Sequence, residues 1–214
     1  LSPEQYGLYN ITISFLSLLC IIFSDWVGIA GLRFFRAHYK ANNVSEYFST
    51  LLFLLFSNLV VMYILGLTLF NFLSQFFHVP HDLLYFVFLL IVPVAFRALL
   101  FQLLRAQIKP IAYTISVIIN QILTIIVSLY FIIYWDLGAI ALLLGMIFSI
   151  SLIDFVMIYI SKMADFLKCS EIKYEILGSF YNYGVPIAAS SLGVWLISQS
   201  NRFILQHYKG SFYN

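Results

Sequence analysis

The sequence predicts an all-α fold, a polytopic transmembrane helix bundle, and three observations carry that reading. Only 9% of its residues are charged and 63% are hydrophobic, whereas a soluble domain carries about 25% charged residues. The apolar residues fall in long continuous runs rather than in alternation, which selects membrane helices over barrel strands. Lys and Arg gather in every second connection between runs, the pattern that orients a chain in a bilayer. A water-soluble chain this apolar could not cover its own surface, whereas in lipid a helix satisfies its own backbone groups.

Six runs can be marked, at 8–32, 47–73, 83–104, 111–134, 138–161 and 184–207. About 22 helical residues make about 33 Å, enough to cross the hydrocarbon core. The first run is free of ionisable groups until Asp25 and then turns basic at Arg33, Arg36 and Lys40. The second leads into a connection, 74–82, without Lys or Arg, where Phe76 and Phe77 suit an aromatic belt. Pro93 should kink the third run, which carries Arg97 and ends in a turn with Arg105 and Lys109.

Pro110 opens the fourth run at a helix start, where its missing N–H does no harm. Tyr130, Tyr134 and Trp135 supply an aromatic belt at its far end, and 135–137 holds no basic residue. The fifth run carries Asp154 and precedes Lys162, Lys168 and Lys173; Gly184-Val185-Pro186 opens the sixth. The connection 162–183 mixes those lysines with Asp165, Glu171 and Glu175 and is the one candidate hinge. It divides the chain into 1–183, with five runs, and 184–214, the first helix of a second unit. Nine of the eleven basic residues fall on one side, which is expected to be cytoplasmic, so the chain starts outside.

Asp25, Arg97 and Asp154 lie within apolar runs, where an ionisable group costs about 2.5–3.5 kcal/mol and is kept for a purpose. Each sits about two thirds along an inward-going run, so the three are expected at similar depth. One reading is a polar cavity in which Arg97, helped by Arg33, holds an anionic group such as a phosphate, with Asp25 beside it and Asp154 as an ion or pairing site. The other has Arg97 snorkelling to the interface while the acids pair locally. Asn58, Asn120, Gln121 and Gln199 are expected to hydrogen-bond between helices.

The remaining signals point away from catalysis. Cys20 and Cys169 form no CxxC or Cys/His pattern. His78-Val79-Pro80-His81-Asp82 has a proline between its histidines and no third ligand nearby. Asn10-Ile11-Thr12 and Asn43-Val44-Ser45 match the glycosylation triplet, the second on the side expected to be cytoplasmic. No phosphate-binding loop, nucleophile elbow or dinucleotide fingerprint occurs, so no cofactor, metal, nucleic acid or enzymatic activity is expected. Any pumping would draw on an ion or substrate gradient. The start, Leu1-Ser2-Pro3-Glu4-Gln5-Tyr6-Gly7, lacks the basic region of a cleavable signal and an initiator Met, so the chain reads as a piece of a longer protein.

Several stretches together resemble polysaccharide-type flippases of the multidrug/oligosaccharidyl-lipid/polysaccharide exporter superfamily. Leu1-Ser2-Pro3-Glu4-Gln5-Tyr6-Gly7-Leu8-Tyr9 resembles the loop between that family's first two helices, and Asp25-Trp26-Val27-Gly28-Ile29-Ala30-Gly31-Leu32-Arg33-Phe34 its second-helix ending. Leu104-Arg105-Ala106-Gln107 resembles the connection before its fifth helix. Tyr183-Gly184-Val185-Pro186 with Ser200-Asn201-Arg202-Phe203-Ile204-Leu205 resembles its seventh helix, with Asn201 where the family usually has Asp.

The resemblance implies that the six runs are helices two to seven of a two-lobe exporter with a central, alternately opening cavity. It implies an undecaprenyl-pyrophosphate-linked oligosaccharide as substrate, flipped outward across the cytoplasmic membrane of a prokaryote for surface polysaccharide export. Membrane lipids and a polysaccharide polymerase or glycosyltransferase would be its partners. One rival is an ion-coupled drug/cation antiporter of the same superfamily, using Asp25 or Asp154. Another is a polytopic polysaccharide-processing enzyme, for which the outer connections are short, and a third is a membrane scaffold that transports nothing.

Overall fold

The computed structural model describes residues 2–77, 79–161, 163 and 172–209, with side chains as far as residue 199. Every regular element among them is helical: α1 (Pro3–Cys20), a π-helical turn (Ile21–Asp25), α2 (Trp26–Lys40), α3 (Val44–Thr68), α4 (Phe70–Phe77), α5 (His81–Ala106), α6 (Pro110–Trp135), α7 (Ala139–Ser161) and α8 (Tyr174–Lys209). Five helices are long and apolar enough to cross a membrane: Pro3–Lys40, Val44–Thr68, His81–Ala106, Pro110–Trp135 and Ala139–Ser161. This is the architecture of a multi-pass membrane protein. The sixth expected run lies inside α8, where Ser198, Gln199, Ser200, Asn201 and Arg202 interrupt the apolar sequence.

Helix ends differ from the expected runs for local reasons. The first helix starts at Pro3, five residues earlier than the expected run, because Ser2 forms a capping box. Ser2 Oγ accepts from the Gln5 N–H at 3.2 Å, and Gln5 Oε1 accepts from the Ser2 N–H at 3.2 Å. At the other end the helix runs on through Arg33 and Arg36 to Lys40. Its 38 residues make about 57 Å of helix, far more than the hydrocarbon core is thick. The second expected run ends early: α3 stops at Thr68, and α4 continues through Phe77 across what reads as a connection.

The last helix starts at Tyr174, so the expected opening at Gly184-Val185-Pro186, and with it the 183/184 boundary, falls inside α8. Lys173 pins that start by donating its N–H to Thr50 Oγ1 at 3.1 Å, with its ammonium 3.8 Å from Glu46. Helix α5 runs unbroken through Pro93, whose ring leaves the Leu89 carbonyl without its intrahelical donor. Cys169, Lys162, Lys168, Asp165 and Glu171 lie outside the described residues, as do His78 and the side chains of Ser200, Asn201 and Arg202.

Packing is organised around α5, which lies against α1, α2, α6 and α7. Helix α8 covers α1, α2 and α3. An aromatic cluster of Phe34, Phe35, Tyr47, Phe48 and Phe180 joins α2, α3 and α8. At its centre Tyr47 donates its hydroxyl to the Gly31 carbonyl. Helix α6 behaves differently, because its buried residues are Ser116, Asn120 and Ser128 rather than large apolar ones. Gly145 on α7 lets Ser128 approach so closely that a Cβ there would stand 2.9 Å from the Ser128 nitrogen. The Thr124 and Ser149 hydroxyls meet at 2.6 Å. Small polar residues at four-residue spacing thus hold α6 to α7, as lipid, being itself apolar, requires.

Candidate functional site

Arg97 on α5 and Asp154 on α7 bring opposite charges towards one another inside the bundle. Arg97 sits on α5, half-buried, with its guanidinium 5.9 Å from the Phe101 ring centroid. Its charge interacts with that of Asp154 on α7. Among the described residues no carboxylate comes within 4.0 Å of it, so Arg97 and Asp154 attract without closing an ion pair. Cys20 is buried at the end of α1, and Asp25 stands at the end of the π-helical turn that follows it.

Asp154 is 5% exposed, and its Oδ1 is buried without a hydrogen-bond partner. It borders an otherwise apolar groove of about 600 Å³ between α3, α5 and α7, lined among others by Leu55, Tyr63, Pro93, Phe96 and Ser151. An acid in this position can accept a cation or a proton-bearing group from the groove while Arg97 balances its charge. Pro93 and Asp154 thus line one groove, and Asp154 supplies its charge.

No known protein family, curated protein or solved structure matches this chain.

The π-helical turn that carries Asp25 is stabilised by two side chains. Ser24 Oγ donates to the Cys20 carbonyl at 3.0 Å, and the Trp26 indole N–H donates to the Ile22 carbonyl at 3.0 Å. Both carbonyls belong to the stretch where the regular helical ladder slips by one residue. Gly184 on α8 leaves room for the Trp26 ring, which a Cβ would meet at 2.9 Å and closer, and Tyr181 lies against that ring at 5.4 Å.

The Arg33 side chain on α2 is exposed, and its guanidinium stands 5.9 Å from the Tyr183 ring centroid on α8. Gly28, five residues before it, packs against the α5 backbone at Ala98 and Leu99, next to Arg97.

Of the four amides expected to bond between helices, Gln199 does, accepting from Ser14 Oγ at 3.0 Å. Gln121 is exposed, while Asn58 Nδ2 and Asn120 Oδ1 are buried without partners. The side chains of Asn58 and Asn120 therefore lie where no polar group faces those atoms. His81 packs its ring on Phe70, with centroids 5.3 Å apart. Among the described residues no three His, Cys, Asp or Glu side chains cluster as metal ligands would. Trp26 is the residue that sequence reasoning missed, since it acts only through the irregular turn.

Proposed function

We propose that this chain belongs to a membrane transporter that flips a lipid-linked (undecaprenyl-pyrophosphate) oligosaccharide outward across the cytoplasmic membrane, with its basic connections inside the cell. The observation that carries the reading is Arg97, a guanidinium in a membrane-spanning helix that no carboxylate among the described residues closes upon. Its remaining hydrogen-bonding capacity suits the oxygens of a passing pyrophosphate, and Asp154 limits how tightly an anion is held, which transport requires. The resemblance to polysaccharide-type flippases supports the same substrate class. Arg33 then acts as a second cation nearer the basic end rather than as a partner in one phosphate clamp.

The test replaces Arg97 by Ala and by Lys in the full-length protein and checks membrane insertion. It then measures surface polysaccharide together with lipid-linked precursor in the inner leaflet. Arg97→Ala should lower export about tenfold or more while precursor accumulates, the loss of a charge-assisted contact worth about 1.5–3 kcal/mol. Arg97→Lys should retain part of it. Unchanged export in both variants would remove Arg97 from the mechanism.

The unpartnered Asp154 oxygen favours a second reading, an ion-coupled drug/cation antiporter with Asp154 as the ion site. That reading requires Asp154→Asn to abolish ion-dependent efflux while Arg97→Ala spares it.

A further inference from the structure

At the basic end of the bundle a cavity of about 380 Å³ opens between the end of α2, the α5–α6 turn and the end of α7. Arg36, Tyr39, Gln107 and Lys109 line it. The basic side chains around it differ in occupation. Arg33 lies over Tyr183, Arg105 lies 4.4 Å above the Tyr113 ring and bonds its hydroxyl, and Lys173 faces Glu46. Arg36 makes no hydrogen bond or ion pair among the described residues. Lys109 donates to the Ile160 carbonyl at 3.0 Å and has no carboxylate. Two cations thus converge on one concavity, and among the described residues no carboxylate neutralises them.

The same turn opens a second space. An apolar groove of about 550 Å³ runs along α6 and α7, lined by Ile115, Ile119, Val156 and Ile160 among others, and it shares Ile108 and Lys109 with the basic cavity. Ile108 is held at φ 56°, a left-handed conformation that a β-branched residue rarely adopts. It is tied there by its N–H to the Arg105 carbonyl and by the Lys109 N–H to the Leu104 carbonyl. Gln107 adds a bond from Nε2 to the Ser161 carbonyl at 2.8 Å, which fixes the turn against α7.

We propose that these two spaces form one binding site for an anionic phospholipid. Its phosphate lies between Arg36 and Lys109, and an acyl chain lies in the α6–α7 groove. Basic pockets between helices at a membrane surface are the known setting for such headgroups, each Lys or Arg contributing a modest electrostatic gain. The groove supplies what a topological charge cluster lacks, an apolar path beginning at the cations and leading into the hydrocarbon. Ser116, also on the groove wall, is buried on α6 at four-residue spacing from Asn120 and Thr124, and the Thr124 hydroxyl meets that of Ser149 on α7, so a bound chain would also brace a helix pair held by small polar residues.

The test measures lipid binding to the delipidated full-length protein by native mass spectrometry. The probes are phosphatidylglycerol, phosphatidylcholine with the same chains, and inorganic phosphate. Phosphatidylglycerol should bind about tenfold more tightly than phosphatidylcholine, and inorganic phosphate at millimolar concentration should not compete. Arg36→Gln, at an exposed position, should weaken phosphatidylglycerol binding about fivefold. Lys109→Arg should preserve binding, and Ile115→Trp, which fills the groove without touching a charge, should weaken it.

Equal affinity for the two lipids, or undiminished binding by both Arg36→Gln and Ile115→Trp, would overturn the proposal. Competition by inorganic phosphate would reduce the site to a free-anion pocket and overturn the lipid assignment. Since Arg36→Gln and Ile115→Trp lie on different elements, a folding defect in one leaves the other to decide.

Discussion

The Asp154 carboxylate is buried with one oxygen unpartnered, in a helix that crosses the membrane. Such a group is tolerated only when something offsets its charge, and among the described residues Arg97 is a cation interacting with it. A double-mutant cycle measures that dependence. Arg97→Ala alone strands the acid, and Asp154→Asn alone strands the guanidinium. The double variant should be more stable than the sum of the two losses by about 0.5–3 kcal/mol, read from thermal unfolding in detergent. Strict additivity would show that the two groups do not act as a pair. Asp25, Arg97 and Asp154 were legible in the sequence because an ionisable residue inside an apolar run stands out whatever the fold. That Asn58 Nδ2 and Asn120 Oδ1 would be left without the interhelical partners expected of them was not, since this depends on what faces them across a helix interface.

Between α1 and α2 the irregular turn has no counterpart in hydropathy, since Ile21–Asp25 reads as a continuation of the apolar run. Its cause is local hydrogen bonding. The Trp26 indole satisfies the Ile22 carbonyl, and Ser24 satisfies that of Cys20, so the widened turn loses no backbone partner to lipid. Trp26→Phe keeps most of the ring's packing against Tyr181 but removes the donor. It should cost about 1 kcal/mol and loosen the turn, seen as faster amide exchange at 21–26 with little change elsewhere. Unaltered exchange there would mean that the indole does not hold the turn.

The ends of elements were harder to place than their existence for the same reason. Ser2 and Gln5 set a start, and Leu69 interrupts α3, through capping and backbone geometry that an apolar run does not record. The α6–α7 pair was also hidden. Its seam of Ser116, Asn120, Thr124, Gly145 and Ser149 leaves α6 presenting mostly isoleucine to lipid. Gly145→Leu should therefore separate the pair while leaving both helices intact, detectable as a lowered melting temperature with unchanged helical signal. Retained stability would show that the close approach at Gly145 is dispensable.

Across the whole molecule, the turn after α2 and the turn between α5 and α6 lie at one end, and the turn between α6 and α7 at the other. Helices α5 and α6 run antiparallel from one end to the other, and Tyr130, Tyr134 and Trp135 stand exposed where α6 finishes. Arg33, Arg36, Lys40, Arg105 and Lys109 all gather at the first end, while 136–138 carries Asp136 and no base. Positive charge is retained on the cytoplasmic side during insertion, and the proposed orientation, with the basic turns inside the cell, rests on this asymmetry. In a variant with Cys20 and Cys169 replaced by Ala, single cysteines at Asn42, Ile108 and Asp136 sample three turns whose residues have positive φ and are not needed by a helix interior. An impermeant maleimide applied to intact cells should modify Asp136→Cys and spare Asn42→Cys and Ile108→Cys until the membrane is opened. The reverse pattern would invert the bundle and place Arg97 nearer the outer surface, where it could not receive a substrate from the inner leaflet. A mixed pattern, with Asn42→Cys and Ile108→Cys on different sides, would contradict the helix count between them.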